Sequence, residues 1–124
     1  MKKVLTFFVS SIFLICLAVV SQERSQEITV KGELIDVSCY FDHEAKGAPH
    51  KKCALACTQK GFPMGVLTEK GEVYLLFPDH KNEDPYEKAK GMAAEFVEAK
   101  GKLIKKAGIP SIVLSSIEKV SKSQ

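Results

Sequence analysis

The sequence predicts a mainly β domain: a five-stranded, partly open OB-like barrel with two short helices and a Cys/His-bearing helical insert after the first strand. Three observations lead there. Five segments between residues 27 and 120 carry β-branched or alternating apolar patterns. A helix signal falls between the third and fourth of them, which is the element order of an OB fold. Glycine stands inside two of the longer segments, where a tight barrel needs points of bending.

The first strand is "EITVKGELIDV", residues 27–37, with Gly32 in its middle. In the insert that follows, Pro49 suits a first helical turn and Gly61 a C-terminal cap, so the spacing predicts a helix over 49–60. "MGVLT" and "EVYLLF" form a strand hairpin joined by "EKG". The second of these is apolar on both faces and is expected to be central. Asp84, Pro85 and Glu87 read as N-cap, first-turn proline and capping-box partner of a helix running to about Ala94. "EFVEAKGKLIK" and "SIVLSSIEKV" are the last two strands, with Gly108 and Pro110 marking their turn. The aromatics Tyr40, Phe41, Phe62, Tyr74, Phe77 and Phe96 are expected to pack in the core rather than to stack bases.

The chain has 124 residues, but its start does not read as part of the domain. Lys2 and Lys3 precede an apolar run from Val4 to Val20, and a polar stretch follows. That is the layout of a secretory signal peptide over 1–21, with Val19 and Ser21 at the small-residue positions before the cut, leaving a single domain over 22–124. The competing expectation is an uncleaved membrane anchor, since a largely apolar run of 17 residues approaches the length of a span. Cys16 follows Ile15, which is too large for a lipidation signal. The expected location is therefore periplasmic or extracellular, with no stable membrane anchor once the signal is cleaved.

Export changes the charge balance. The segment carries two of the 18 basic residues and none of the 15 acidic ones, so cleavage lowers the net charge from +3 to +1. Such a domain lacks the basic excess that neutralises phosphates, and no nucleic-acid partner is expected. No paired catalytic carboxylates, Ser-His-Asp order or phosphate-binding glycine loop is apparent, so the reading leans away from an enzyme.

The chemistry lies in "CYFDHEAKGAPHKKCALAC", residues 39–57. Without Cys16 three cysteines remain, an odd number. On a helix over 49–60, His50, Cys53 and Cys57 fall within about 60° of one another, on one stripe. Cys39, at the end of the first strand with Asp36 and His43 nearby, can approach that stripe. Three readings stay open. A disulfide from Cys39 to Cys53 or Cys57 would staple an interaction domain with no site chemistry. Cys39, Cys53 and Cys57 with His50 or His43 would suit a soft metal ion, copper ahead of zinc. Thiol–disulfide redox chemistry would call for a C-x-x-C pair, which is absent.

"GELIDVSCY" followed by "HKKCALACTQKGFPMGVLTEKGEVYLLFPDH" resembles a group of small exported bacterial proteins of uncharacterised function. They share the pattern D-x-x-C-Y, then H-x2-C-A-x2-C-x3-G-x-P. Asp36, Cys39, His50, Cys53, Cys57, Gly61 and Pro63 stand at the matching positions, and the similarity extends over nearly the whole mature domain. The resemblance implies an OB-like domain whose shared feature is the Cys/His cluster, and it implies no substrate. The expectation is an exported binding or carrier domain ligating a soft metal ion, copper or zinc, at Cys39, His43, His50, Cys53 and Cys57. Its partner would be an extracytoplasmic protein that gives or takes the metal. A thiol–disulfide redox protein or a disulfide-stapled interaction domain is the alternative.

Overall fold

The structure, a computed structural model, describes residues 25–122; the expected signal peptide and Cys16 lie outside them. Five strands form the domain: β1 (Glu27–Asp36), β2 (Met64–Leu67), β3 (Val73–Phe77), β4 (Phe96–Lys106) and β5 (Ile109–Lys119). Three helices accompany them: α1 (Val37–His43), α2 (Lys51–Gln59) and α3 (Asp84–Ala89), with a 3₁₀ turn, Ala48–His50, leading into α2.

The strands close into a barrel in the order β1-β2-β3-β5-β4, with β4 returning to β1. The element order and the parallel pairing of β3 with β5 make it OB-like. The five-stranded OB-like barrel expected from the sequence is present, and its ring is closed. The long first strand closes the ring by serving two neighbours. Its first part, Glu27–Glu33, pairs with β4, and its last part, Glu33–Asp36, pairs with β2. Such double use requires a strong bend, and Gly32 lies at the junction. A Cβ there would stand 2.2 Å from the carbonyl oxygen of Leu67.

The interior is filled by alternate residues of the strands: Leu34, Met64, Val66, Leu76, Val97, Ala99, Ile112, Leu114 and Ile117 are all 2 % exposed or less. Ala89, Met92 and Ala93, at and just after the end of α3, join the same core, as does Ala54 of α2. None of the six aromatics expected in the core is fully buried. Phe41, Phe62 and Phe77 are exposed, because α1 buries no residue, Phe62 lies beyond the end of α2, and Phe77 is the outward-facing last residue of β3.

Local chemistry explains the other departures. The first strand ends one residue early because Asp36 turns the chain into α1, an additional helix: its Oδ1 accepts the Ser38 N–H at 2.9 Å. Near the start of α3, Asn82 Oδ1, rather than Asp84, accepts a backbone bond, from Asp84 N at 3.2 Å. That helix stops at Ala89, where Lys90 and Gly91 close it with backbone bonds, instead of reaching Ala94. Between β4 and β5 the turn is Ala107-Gly108, both at positive φ (52° and 76°), the two-residue geometry that matches strand twist. Pro110 therefore lies inside β5, near its beginning.

The insert is tied to the barrel at three places. The Gly47 N–H donates to the Glu33 carboxylate, and Lys51 bonds Glu95. Thr58, fully buried, donates its hydroxyl to the Lys90 carbonyl at 2.8 Å. Thr58→Val keeps the shape but removes the hydroxyl that donates to that carbonyl, and it is expected to lower stability by about 1–2 kcal/mol. Urea melts check it; an unchanged midpoint would show that the Thr58 bond contributes nothing to the attachment of α2.

Candidate metal centre

Two short helices place the cluster outside the barrel, at the end of β1. Asp36 initiates α1 and thereby moves Cys39 into that helix, not onto the strand end where the sequence pattern put it. Glu44 closes α1 in a left-handed conformation, φ 55°, returning its N–H to the Tyr40 carbonyl at 2.8 Å. Gly47 and Pro49 then shape the 3₁₀ turn, so that His50 stands at the junction with α2. Cys53 and Cys57 follow on α2, one turn apart.

The ligand atoms fall into two sets. Cys39, His50 and Cys53 form one; Asp36, Cys39 and Cys57 form the other. Within each, the ligand atoms all lie within 4.8 Å of one another. An ion bound at about 2.0–2.3 Å to nitrogen and sulfur draws its ligands to roughly 3.3–4.0 Å apart, so either set is a small side-chain adjustment from coordination. These sets could hold a metal ion. Cys39 belongs to both.

The three thiols therefore do not act as one set. Residues four apart on a helix are separated by about 6 Å along its axis, and cysteine has a single methylene with which to lean. Cys53 joins Cys39 in one set and Cys57 joins it in the other. His43 belongs to neither set: its Nδ1 contacts the Asp42 carboxylate at 3.1 Å, and its exposed ring lies edge-on to His50 with centroids 5.7 Å apart. Asp36 enters a set although the sequence reading placed it only nearby. Its signal was the same D-x-x-C spacing, which a helix start converts into proximity.

The site has a graded exposure. Cys53 is exposed, Cys39 and Cys57 are half-buried, and Asp36 is 2 % exposed. Two atoms in it are buried without a hydrogen-bond partner: Asp36 Oδ2 and His50 Nε2. Buried polar atoms are ordinarily satisfied, and leaving one unpaired costs about 1–3 kcal/mol. Here one unsatisfied oxygen and one unsatisfied nitrogen each fall on a residue of a different set.

All three thiols are free, so no disulfide staples the insert among the described residues. Two of them, Cys39 and Cys57, are tuned away from nucleophilicity. Contact with the Asp36 carboxylate, then burial, then the charge of Asp36 and the neighbouring thiols push Cys39 from 9.0 up to about 12. Cys57 is raised as well, by burial first and by Asp36 second. A redox cysteine requires the opposite shift. Because the folded-state value lies above the ordinary one, Cys39 stays a thiol through the neutral range and ionises only in strong base. In the metal-free protein, Cys39 is expected to react with iodoacetamide more slowly than an unfolded cysteine at pH 8, and Asp36→Asn to accelerate it. Peptide mapping of the alkylated protein reads this; preferential labelling of Cys39 at pH 7 would contradict it.

A scan against protein-family models finds no match to the chain, and a search of curated proteins finds none either.

Proposed function

We propose that the chain is an exported binding or carrier module for soft metal ions, copper(I) ahead of zinc(II), bound within the cluster formed by Cys39, Cys53, Cys57 and His50. One observation carries the reading: three free thiols and an imidazole converge from two helices onto two overlapping ligand sets, and buried Asp36 Oδ2 and His50 Nε2 lack any other partner. Thiolate with imidazole selects soft ions, and copper(I) takes such ligands at low coordination number. The exposed Cys53 gives a second protein access to the bound ion by ligand exchange. The raised thiols count against a thiol–disulfide enzyme. Export is supported by the Lys2-Lys3 and Val4–Val20 layout, and a signal cut after Ser21 leaves no anchor; N-terminal sequencing of the mature protein tests it. A nucleic-acid partner is disfavoured by a mature net charge of about +1.

The test is an anaerobic titration of the reduced protein with copper(I) against a chromophoric chelator, with zinc(II) in parallel. The expected result is copper(I) held against the chelator and retained under excess zinc(II). Protein from its native compartment that shows two protected thiols, and that takes up no copper after reduction, would instead establish the disulfide-stapled domain.

A further inference from the structure

The sharing of Cys39 between two ligand sets has a consequence for stoichiometry. We infer that the site holds two copper(I) ions, bridged by the Cys39 thiolate. This rests on the metal-binding reading above. One ion sits with Cys39, His50 and Cys53, nearer solvent; the other sits with Cys39 and Cys57, against the buried Asp36 carboxylate.

Three observations carry it. First, the cluster divides into two ligand sets that share Cys39: Cys53 falls in one and Cys57 in the other, so an ion seated in either set has the other helix thiol outside it. A thiolate sulfur, by contrast, has lone pairs enough to bind two soft ions at once, and Cys39 is the one thiol within reach of both groups. Second, each group contains its own buried, unpartnered atom. His50 Nε2 belongs to the outer group and Asp36 Oδ2 to the inner one. One ion at either position leaves the other group's atom unsatisfied. Third, charge favours double loading. Two copper(I) ions that displace the protons of three thiols release three protons, so the cluster's charge falls by one unit, and two cations against three thiolates and a carboxylate remain fewer positive than negative charges. Asp36, nearly out of contact with water, attracts the inner cation without being its main ligand. The inner ion is the less accessible, so the outer one, bound partly by exposed Cys53, is the exchangeable one.

Native mass spectrometry of the reduced full mature chain, titrated anaerobically with copper(I), gives the number of ions per monomer. Two are expected, filling together or in close succession, with a copper–copper scattering shell in X-ray absorption. Cys57→Ser should reduce the count to one while retaining the outer ion. Cys53→Ser should also reduce it to one, and that ion should exchange more slowly with a chelator. Circular dichroism of each variant confirms that the barrel is intact. A maximum of one ion per monomer in the native chain overturns the bridged pair but leaves the metal-binding reading standing; no bound ion overturns both. Two ions retained by Cys57→Ser would place the second ion elsewhere and also refute the proposal.

Discussion

Gly101→Ala is expected to destabilise the protein by about 3 kcal/mol or more, one of the largest effects of any single-methyl change in the barrel. A Cβ at this position would lie 2.0 Å from the Val113 carbonyl oxygen and 2.8 Å from Ile112 Cγ2. Neither neighbour can yield cheaply. The carbonyl belongs to the backbone of β5, and Ile112 is fully buried. The site is also where the β4–β5 register shifts, between Lys100 and Gly101, so the ladder is already irregular there. Alanine restricts the unfolded chain and by that route alone would stabilise by about 0.4–1 kcal/mol, which the clash outweighs. Gly91→Ala is the matched control: its Cβ would meet only the Lys88 carbonyl oxygen at 3.7 Å, an ordinary contact. Urea denaturation of the two variants decides the matter. A loss below about 1 kcal/mol for Gly101→Ala would mean that β5 moves aside more easily than a closed barrel allows.

That glycine shows which part of the fold was legible in the sequence. The two mid-strand glycines, Gly32 and Gly101, pointed to a tightly bent barrel, and both approach a crossing backbone. The strand alternation and the helix between the third and fourth strands gave the topology. Closure of the ring was not legible, because it depends on how far the two halves of β1 diverge, a long-range property of pairing. Helix α1 was hidden for a local reason. The strand pattern "ELIDV" runs straight into it, it buries no residue, and it ends at Glu44 without the glycine that usually announces a stop. Phe41, Phe62 and Phe77 misled for a related reason: side-chain type suggested burial, while position on an outer helix, beyond a helix end or at a strand end decided exposure, whereas Tyr74 does pack against the core.

The candidate site was legible in part as a geometry: Cys39 does approach His50 and Cys53 as the stripe suggested. His50, Cys53 and Cys57 were expected on one stripe of one helix. His50 enters from the 3₁₀ turn Ala48–His50 and groups with Cys53, whereas Cys57 groups with Cys39 beside Asp36. His43 is near His50 yet turned to Asp42. Asp36 is the residue that spacing undervalued. It performs two tasks from one carboxylate: Oδ1 starts α1, which brings Cys39 over α2, while Oδ2 faces the cluster's chemistry unpaired.

Cys39→Ser is the substitution expected to affect binding most. Cys39 is the only residue common to both ligand sets, so its loss removes a sulfur from each at once, whereas Cys53→Ser or Cys57→Ser leaves one set whole. Serine is nearly isosteric, but its hydroxyl is a hard, protonated oxygen at neutral pH and a poor ligand for copper(I). A drop of at least about 100-fold in copper(I) affinity is expected, equivalent to about 2.7 kcal/mol. The fold should survive. Cys39 lies on a helix that contributes nothing to the buried core, and it takes part in no disulfide. The metal-free variant should therefore melt within about 0.5 kcal/mol of the parent. The paired measurements separate the readings of the cluster. Lost copper affinity with an unchanged melt supports a metal centre, and a melt lowered by about 2–5 kcal/mol in oxidising buffer, with copper uptake absent from the parent, would be the signature of a Cys39 disulfide instead.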